Sequence, residues 1–131
     1  MSPEQLLSMA KEAMLRAYAP YSGFFVGAAL LTKSGKVYTG CNIENAAFGP
    51  TNCAERTAFF KAVSEGERDF AAIAVVGGRG GTITGLCAPC GVCRQVMQEF
   101  CGPDFMIYMG KDNGGYEAVA LKDLLPYGFT L

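Results

Sequence analysis

Between Glu4 and Tyr18 apolar residues recur at helical spacing, at Leu6, Leu7, Met14 and Leu15 with Ala10 and Ala13 between them, and Ser2-Pro3 supplies a start. This predicts a first helix. Ala19-Pro20-Tyr21-Ser22-Gly23 breaks it, after which Phe25 to Thr32 and Lys36 to Cys41 flank the short polar loop Lys33-Ser34-Gly35 and predict a hairpin. Cys53 to Ser64 predicts a second helix, ended by the polar Ser64-Glu65-Gly66-Glu67 stretch. The continuous apolar run from Phe70 to Val76 predicts a buried central strand. Residues 77–88 open on four glycines in five positions and predict a loop, with no Gly-Lys-Ser/Thr or Gly-x-Gly-x-x-Gly pattern to suggest phosphate binding. Cys90 to Phe100, entered through Pro89, predicts a third helix. Strands at Phe105 to Met109 and Tyr116 to Ala120 follow, then a helical turn from Leu121 to Leu125 before Pro126. Helices set between the later strands predict one α/β domain over residues 1–131, a mixed sheet covered by helices.

Composition narrows the chemistry. Half of the 131 residues are apolar, so the chain can bury a core without covalent staples. A formal charge of −1 with no run of like charge gives no footprint for a polyanion, so no nucleic-acid partner is expected. No segment reaches the ~18 uninterrupted apolar residues of a membrane span, and Met1-Ser2-Pro3-Glu4-Gln5 does not open an export signal. A cytoplasmic location without membrane attachment is the expectation. There, six cysteines read as metal ligands or redox groups rather than as disulfides. The absence of histidine removes every Ser/His and Cys/His nucleophile and every histidine-ligated metal site.

Two segments concentrate the remaining chemistry: Cys53-Ala54-Glu55 at the start of the second predicted helix and Pro89-Cys90-Gly91-Val92-Cys93 at the start of the third. Free N–H groups and the positive dipole end of a helix favour thiolate over thiol, and thiolate is the form that binds zinc. Cys90 and Cys93, three apart, share one face of a first turn. Cys53 completes a three-sulfur set if the two helices pack side by side. Three protein ligands leave a position for water or substrate, whereas four close the site. Cys41 and Cys101 lie outside any ligand motif and read as buried thiols, and Pro89 should turn Cys87 away from the pair. Glu55, two residues from Cys53, can approach the ion without ligating it and act as the proton carrier. A zinc ion there would lower the pKa of its water from ~15.7 toward ~7. Three thiolates blunt that acidity, and Arg56 is the candidate cation to compensate.

The two metal segments match the Cys₃ variant of the zinc deaminase signature. With Tyr18-Ala19-Pro20-Tyr21-Ser22, Val26-Gly27-Ala28-Ala29-Leu30, Gly40-Cys41-Asn42-Ile43-Glu44-Asn45-Ala46 and Cys53-Ala54-Glu55-Arg56-Thr57-Ala58, nearly the whole chain resembles the small homotetrameric cytidine deaminases. The resemblance implies a five-stranded mixed β-sheet with helices on both faces, and one zinc ion per subunit. It implies hydrolysis of cytidine or 2′-deoxycytidine to the uridine analogue and ammonia, in pyrimidine salvage. Glu55 would move protons between water, ring N3 and the leaving amine. Asn42 and Glu44 would hold the ribose 3′-hydroxyl, Phe24 would stack on the base, and the Ala54 amide would take O2. Ala46 and Phe48 join the implied substrate-binding set, and Phe129 resembles an aromatic residue that reaches a neighbouring subunit's site.

Asn42 and Glu44 alternate along an extended segment, which lets both face one sugar. The chain departs from its relatives at Phe48, where a tyrosine is common, at Ala88, where a serine often precedes Pro-Cys, and in the longer 77–88 connection. Other readings stay open on sequence. A blasticidin-type or other aminopyrimidine hydrolase would share the metal motifs, a redox pair could use Cys90-x-x-Cys93, and a purely structural zinc module would need no Glu55.

Overall fold

In a computed structural model describing residues 1–131, the chain runs α1 (Pro3–Met14), β1 (Phe24–Thr32), β2 (Val37–Cys41), α2 (Ala54–Ser64), β3 (Phe70–Arg79), α3 (Gly91–Phe100), β4 (Met106–Gly110), β5 (Tyr116–Ala120) and α4 (Leu121–Leu124). All five strands join one sheet in the order β2-β1-β3-β4-β5. β1 lies antiparallel to β2 and β3, β3 is parallel to β4, and β4 is antiparallel to β5. The expected mixed sheet is therefore the one that forms. Its single parallel step needs a crossover, and α3 provides it.

Alternation along the strands divides the interior into two layers. Ala28 and Leu30 of β1, Ile73 and Val75 of β3 and Ile107 of β4 face α2 and α3. Ala29 of β1 and Ala72, Ala74 and Val76 of β3 face α1, against Leu6, Ala10 and Met14. The first layer is aromatic. Phe59 of α2 packs edge-on against Phe70 at 5.1 Å and lies within 6.4 Å of Phe100 and 6.1 Å of Phe105, geometries that add specific attraction to the buried area.

Two glycines let helices seat directly on opposite faces of the sheet. A Cβ at Gly27 would stand 2.0 Å from the Ala10 carbonyl oxygen of α1, and one at Gly40 would stand 2.4 Å from the Ala54 carbonyl oxygen of α2. The contact at Gly40 fixes the first turn of α2, and with it Cys53 and Glu55, against β2.

Two boundaries differ from the periodicity. The helix expected to reach Tyr18 stops at Met14, because Tyr18 leaves to pair with Ile43: its N–H donates to the Asn42 carbonyl at 3.0 Å and its own carbonyl accepts the Glu44 N–H at 2.8 Å. The central strand runs through Gly77 and Gly78 to Arg79 because β1 pairs with it back to Phe24. Glycine is required at Gly78, where a Cβ would overlap the Thr82 carbonyl. No helix is long and apolar enough to cross a membrane.

Candidate active site

Helices α2 and α3 lie side by side, and each is capped by a cysteine in extended conformation, Cys53 at φ −77° and Cys90 at φ −68°. Neither side chain hydrogen-bonds its own helix start. Both sets of first-turn N–H groups are thereby left to favour negative charge on sulfur. Cys53 Sγ lies 3.7 Å from Cys90 Sγ, Cys90 Sγ lies 3.6 Å from Cys93 Sγ, and all three fall within 4.8 Å of one another. Sulfurs bound tetrahedrally to zinc at ~2.3 Å stand ~3.8 Å apart, so the triangle fits that ion. Cys41, Cys87 and Cys101 are free thiols outside it. Cys87 instead packs toward Gly77, and burial ahead of the nearby Glu55 and Cys53 charges pushes its thiol up to about 12. A third sulfur in the triangle favours a metal over a Cys90–Cys93 redox pair.

Arg56, one turn along α2, donates from Nη2 to Cys53 Sγ at 3.1 Å. Its partial burial works against its charge, but hydrogen bonds to Cys53 and Cys93 outweigh this and hold it cationic. Cys53 is brought down to about 5, chiefly by the Cys93 hydrogen bond and then by Arg56 against the pull of burial. Cys93 is raised by the same bond, seen from the donor's side. Arg56 and the neighbouring sulfurs thus favour thiolate at Cys53, the form that binds zinc. Arg56 answers the charge that three sulfurs would bring.

Glu55 is only 4% exposed. Burial pushes its carboxyl up to about 7, with the Cys53 charge adding to the effect. It shares a cavity of about 180 Å³ with Cys53, Cys90, Ala54, Asn42 and Glu44. Asn42 holds the start of β1: its Oδ1 accepts the Val26 N–H at 2.9 Å and its Nδ2 donates to the Phe24 carbonyl at 2.8 Å, which leaves one N–H for a ligand. Glu44 accepts the Tyr21 and Ser22 N–H groups on Oε1 and the Ser22 hydroxyl on Oε2. The Ser22 hydroxyl first, and then both amides, hold its carboxyl below the usual carboxylate range.

Cys53, Cys90 and Cys93 come together at one point with Glu55 and Arg56, and Ala54, Asn42 and Glu44 share the cavity wall. Phe24, Ala46, Phe48 and Phe129 do not line that wall. Phe24 opens β1, with its ring edge close to Gly77, and Ala46 is exposed on the loop beyond Glu44. Phe48 is 92% exposed and lines a second, more open cavity that shares Glu44 and Thr51 with the first. Phe129 is 67% exposed, and its carbonyl accepts from Gln95 Nε2 at 3.2 Å.

Several neighbours escaped the sequence. Arg94 donates from Nε to the Pro89 carbonyl at 2.7 Å and from Nη1 to the Leu124 carbonyl at 2.8 Å, tying the turn before Cys90 to the end of α4. Ser22 lines the more open cavity, and Thr51 lines both. None of these contacts carries a local sequence signal, since the partners meet only through the fold.

Cys53, Cys90 and Cys93 would hold a zinc ion through three sulfurs and leave it open to water, and with the Glu55 carboxyl lining the same cavity the centre is that of a hydrolytic zinc enzyme. The family model described as the cytidine and deoxycytidylate deaminase zinc-binding region matches residues 1–109, and the chain belongs to that family. It is 50% identical over 130 residues to a cytidine deaminase of Sporosarcina psychrophila, covering 99% of this chain and 93% of the relative. A cytidine deaminase of Halalkalibacterium halodurans is 51% identical, with 99% and 96% covered. The crystal structure of cytidine deaminase from Burkholderia pseudomallei superposes with a TM-score of 0.90 at 50% identity, over 98% of this chain and 100% of that one.

Proposed function

We propose that residues 1–131 form one catalytic domain that hydrolyses cytidine and 2′-deoxycytidine to the uridine analogue and ammonia. One observation carries this reading: the buried Glu55 carboxyl shares a small cavity with the three-sulfur cluster and with Asn42 and Glu44. Zinc, when bound by Cys53, Cys90 and Cys93, supplies activated water at neutral pH. Glu55 accepts a proton from the attacking water, delivers it to ring N3, and carries the next to the leaving amine. A carboxyl poised near neutrality suits both directions of transfer. The Ala54 N–H, unpaired within its helix at the first position, donates to O2 of the base. Arg56 offsets the sulfur charge.

Asn42 and Glu44 take the sugar 3′-hydroxyl as donor and acceptor. Beyond the thiols and Glu44 and Glu55, the walls of the two adjoining cavities hold no acidic or basic side chain. An uncharged nucleoside suits that wall better than a phosphorylated one or a nucleic acid. Phe24 stacks on the base, and Ala46 and Phe48 border the sugar. Phe129 completes the site of a neighbouring copy in a homotetramer, and the enzyme serves pyrimidine salvage in the cytoplasm.

Mixing the zinc-loaded protein with cytidine is expected to give the ultraviolet change of cytosine becoming uracil, with one ammonia released per turnover. A protein with a full zinc complement and neither signal would refute the assignment. Sedimentation tests the assembly: a monomer that turns over at full rate removes Phe129 from the shared site.

A further inference from the structure

We propose that Ser22 is the positioning residue for the sugar-binding carboxylate, fixing Glu44 before the nucleoside arrives. The inference rests on the reading that Glu44 receives a sugar hydroxyl. Ser22 reaches Glu44 twice, through its hydroxyl to Oε2 and through its N–H to Oε1 at 3.1 Å, while the Tyr21 N–H reaches the same Oε1 at 3.0 Å. The direction of the hydroxyl is settled by a further bond. Ser22 Oγ accepts the Phe24 N–H at 3.0 Å, so its own proton is left to point at the carboxylate.

An ionised carboxylate offers about four lone-pair sites. Three donors from the 21–22 turn occupy three of them and leave one, on Oε2, for substrate. Glu44 is thereby limited to a single hydroxyl in a fixed direction. The backbone of Glu44 is held as well, through its N–H to the Tyr18 carbonyl at 2.8 Å. Preorganisation of this kind improves binding because the side chain is ordered before the ligand arrives.

The turn itself is held by the end of β3. Arg79 Nη1 donates to the Ser22 carbonyl at 3.1 Å, and the Gly80 N–H donates to the Gly23 carbonyl at 3.0 Å. Gly23 sits at φ +67°, a conformation open to glycine at little cost. The unexpected extension of β3 through Gly77-Gly78-Arg79 thus acquires a purpose: it carries the guanidinium that steadies the Ser22 turn. The chain of support runs from Arg79 to Ser22 to Glu44.

The test compares Ser22→Ala, Ser22→Thr, Glu44→Gln and the Ser22→Ala/Glu44→Gln double variant, each loaded with zinc and assayed on cytidine, with zinc content and circular dichroism measured alongside. Ser22→Gly repeats the deletion if alanine impairs folding. Loss of a hydrogen bond to a charged group should raise KM about tenfold in Ser22→Ala while kcat moves less than about twofold. Ser22→Thr, which keeps the hydroxyl, should restore KM, and the double variant should be no worse than Glu44→Gln alone, as coupled groups require. An unchanged KM in Ser22→Ala, a fall confined to kcat, or additive effects in the double variant would overturn the proposal. If KM rises in Glu44→Gln but not in Ser22→Ala, only the positioning step fails. If Glu44→Gln leaves KM unchanged, the sugar reading falls and takes this inference with it.

Discussion

Helix α1 and the pair α2 and α3 begin in opposite ways. At α1, Ser2 Oγ accepts the Gln5 N–H at 3.2 Å, Gln5 Oε1 accepts the Ser2 N–H at 2.9 Å, and Pro3 occupies the first helical position, where no donor is needed. Its opening turn is answered locally. At α2 and α3 the capping positions hold Cys53 and Cys90, which leave their own helix starts without a side-chain acceptor. The local capping rule is thus broken at both places where a thiolate is needed. A helix start that satisfies itself contributes stability, whereas one that does not is available for chemistry.

Replacing a metal-site cap with a good structural cap should break the contrast most severely. Cys53→Asn is expected to lose zinc and all measurable deaminase activity. Asparagine is among the best N-caps, worth about 1 kcal/mol over a residue that cannot cap, so the variant should melt no lower than metal-free wild type. Atomic absorption and thermal unfolding of the two apo-proteins check both halves, and a much lower melting point would show that Cys53 supports the fold itself.

Glu55→Gln keeps the shape and replaces the titratable carboxyl with an amide that cannot carry protons. Zinc content should hold while kcat falls by roughly 10²-fold or more. Unchanged turnover would remove Glu55 from the reaction. The smallest effect is expected at the self-satisfied start: Ser2→Ala should cost about 1 kcal/mol in denaturant unfolding with no change in kcat/KM. A loss of activity there would mean that α1, on the far face of the sheet, is coupled to the site.

Much of this was legible in the chain because it depends on neighbours in sequence. The starts of α2 and α3 and the spacing of Cys90 and Cys93 are local, as are the turn residues of the β1–β2 hairpin, and each was placed within a residue or two. Contacts across long separations were not legible. Tyr18 ends α1 early by pairing with a segment some two dozen residues away, although nothing in Arg16-Ala17-Tyr18 disfavours a helix. Arg79 and Ser22 are 57 residues apart, and the glycines between Gly77 and Gly81 read as loop because their role as partners of β1 depends on that strand. The same holds for Arg94, whose two carbonyl acceptors lie in different elements. Phe48 and Phe129, implied by resemblance, stand largely exposed, and no local sequence signal marks either of them.

Hydrolysis at this centre requires that only three protein atoms hold the ion. X-ray absorption at the zinc edge of the loaded wild-type protein reads that number directly. Three sulfur neighbours at ~2.3 Å with one lighter atom from solvent are predicted. Four sulfurs, or a fourth donor that persists when substrate is added, would contradict hydrolysis at this centre.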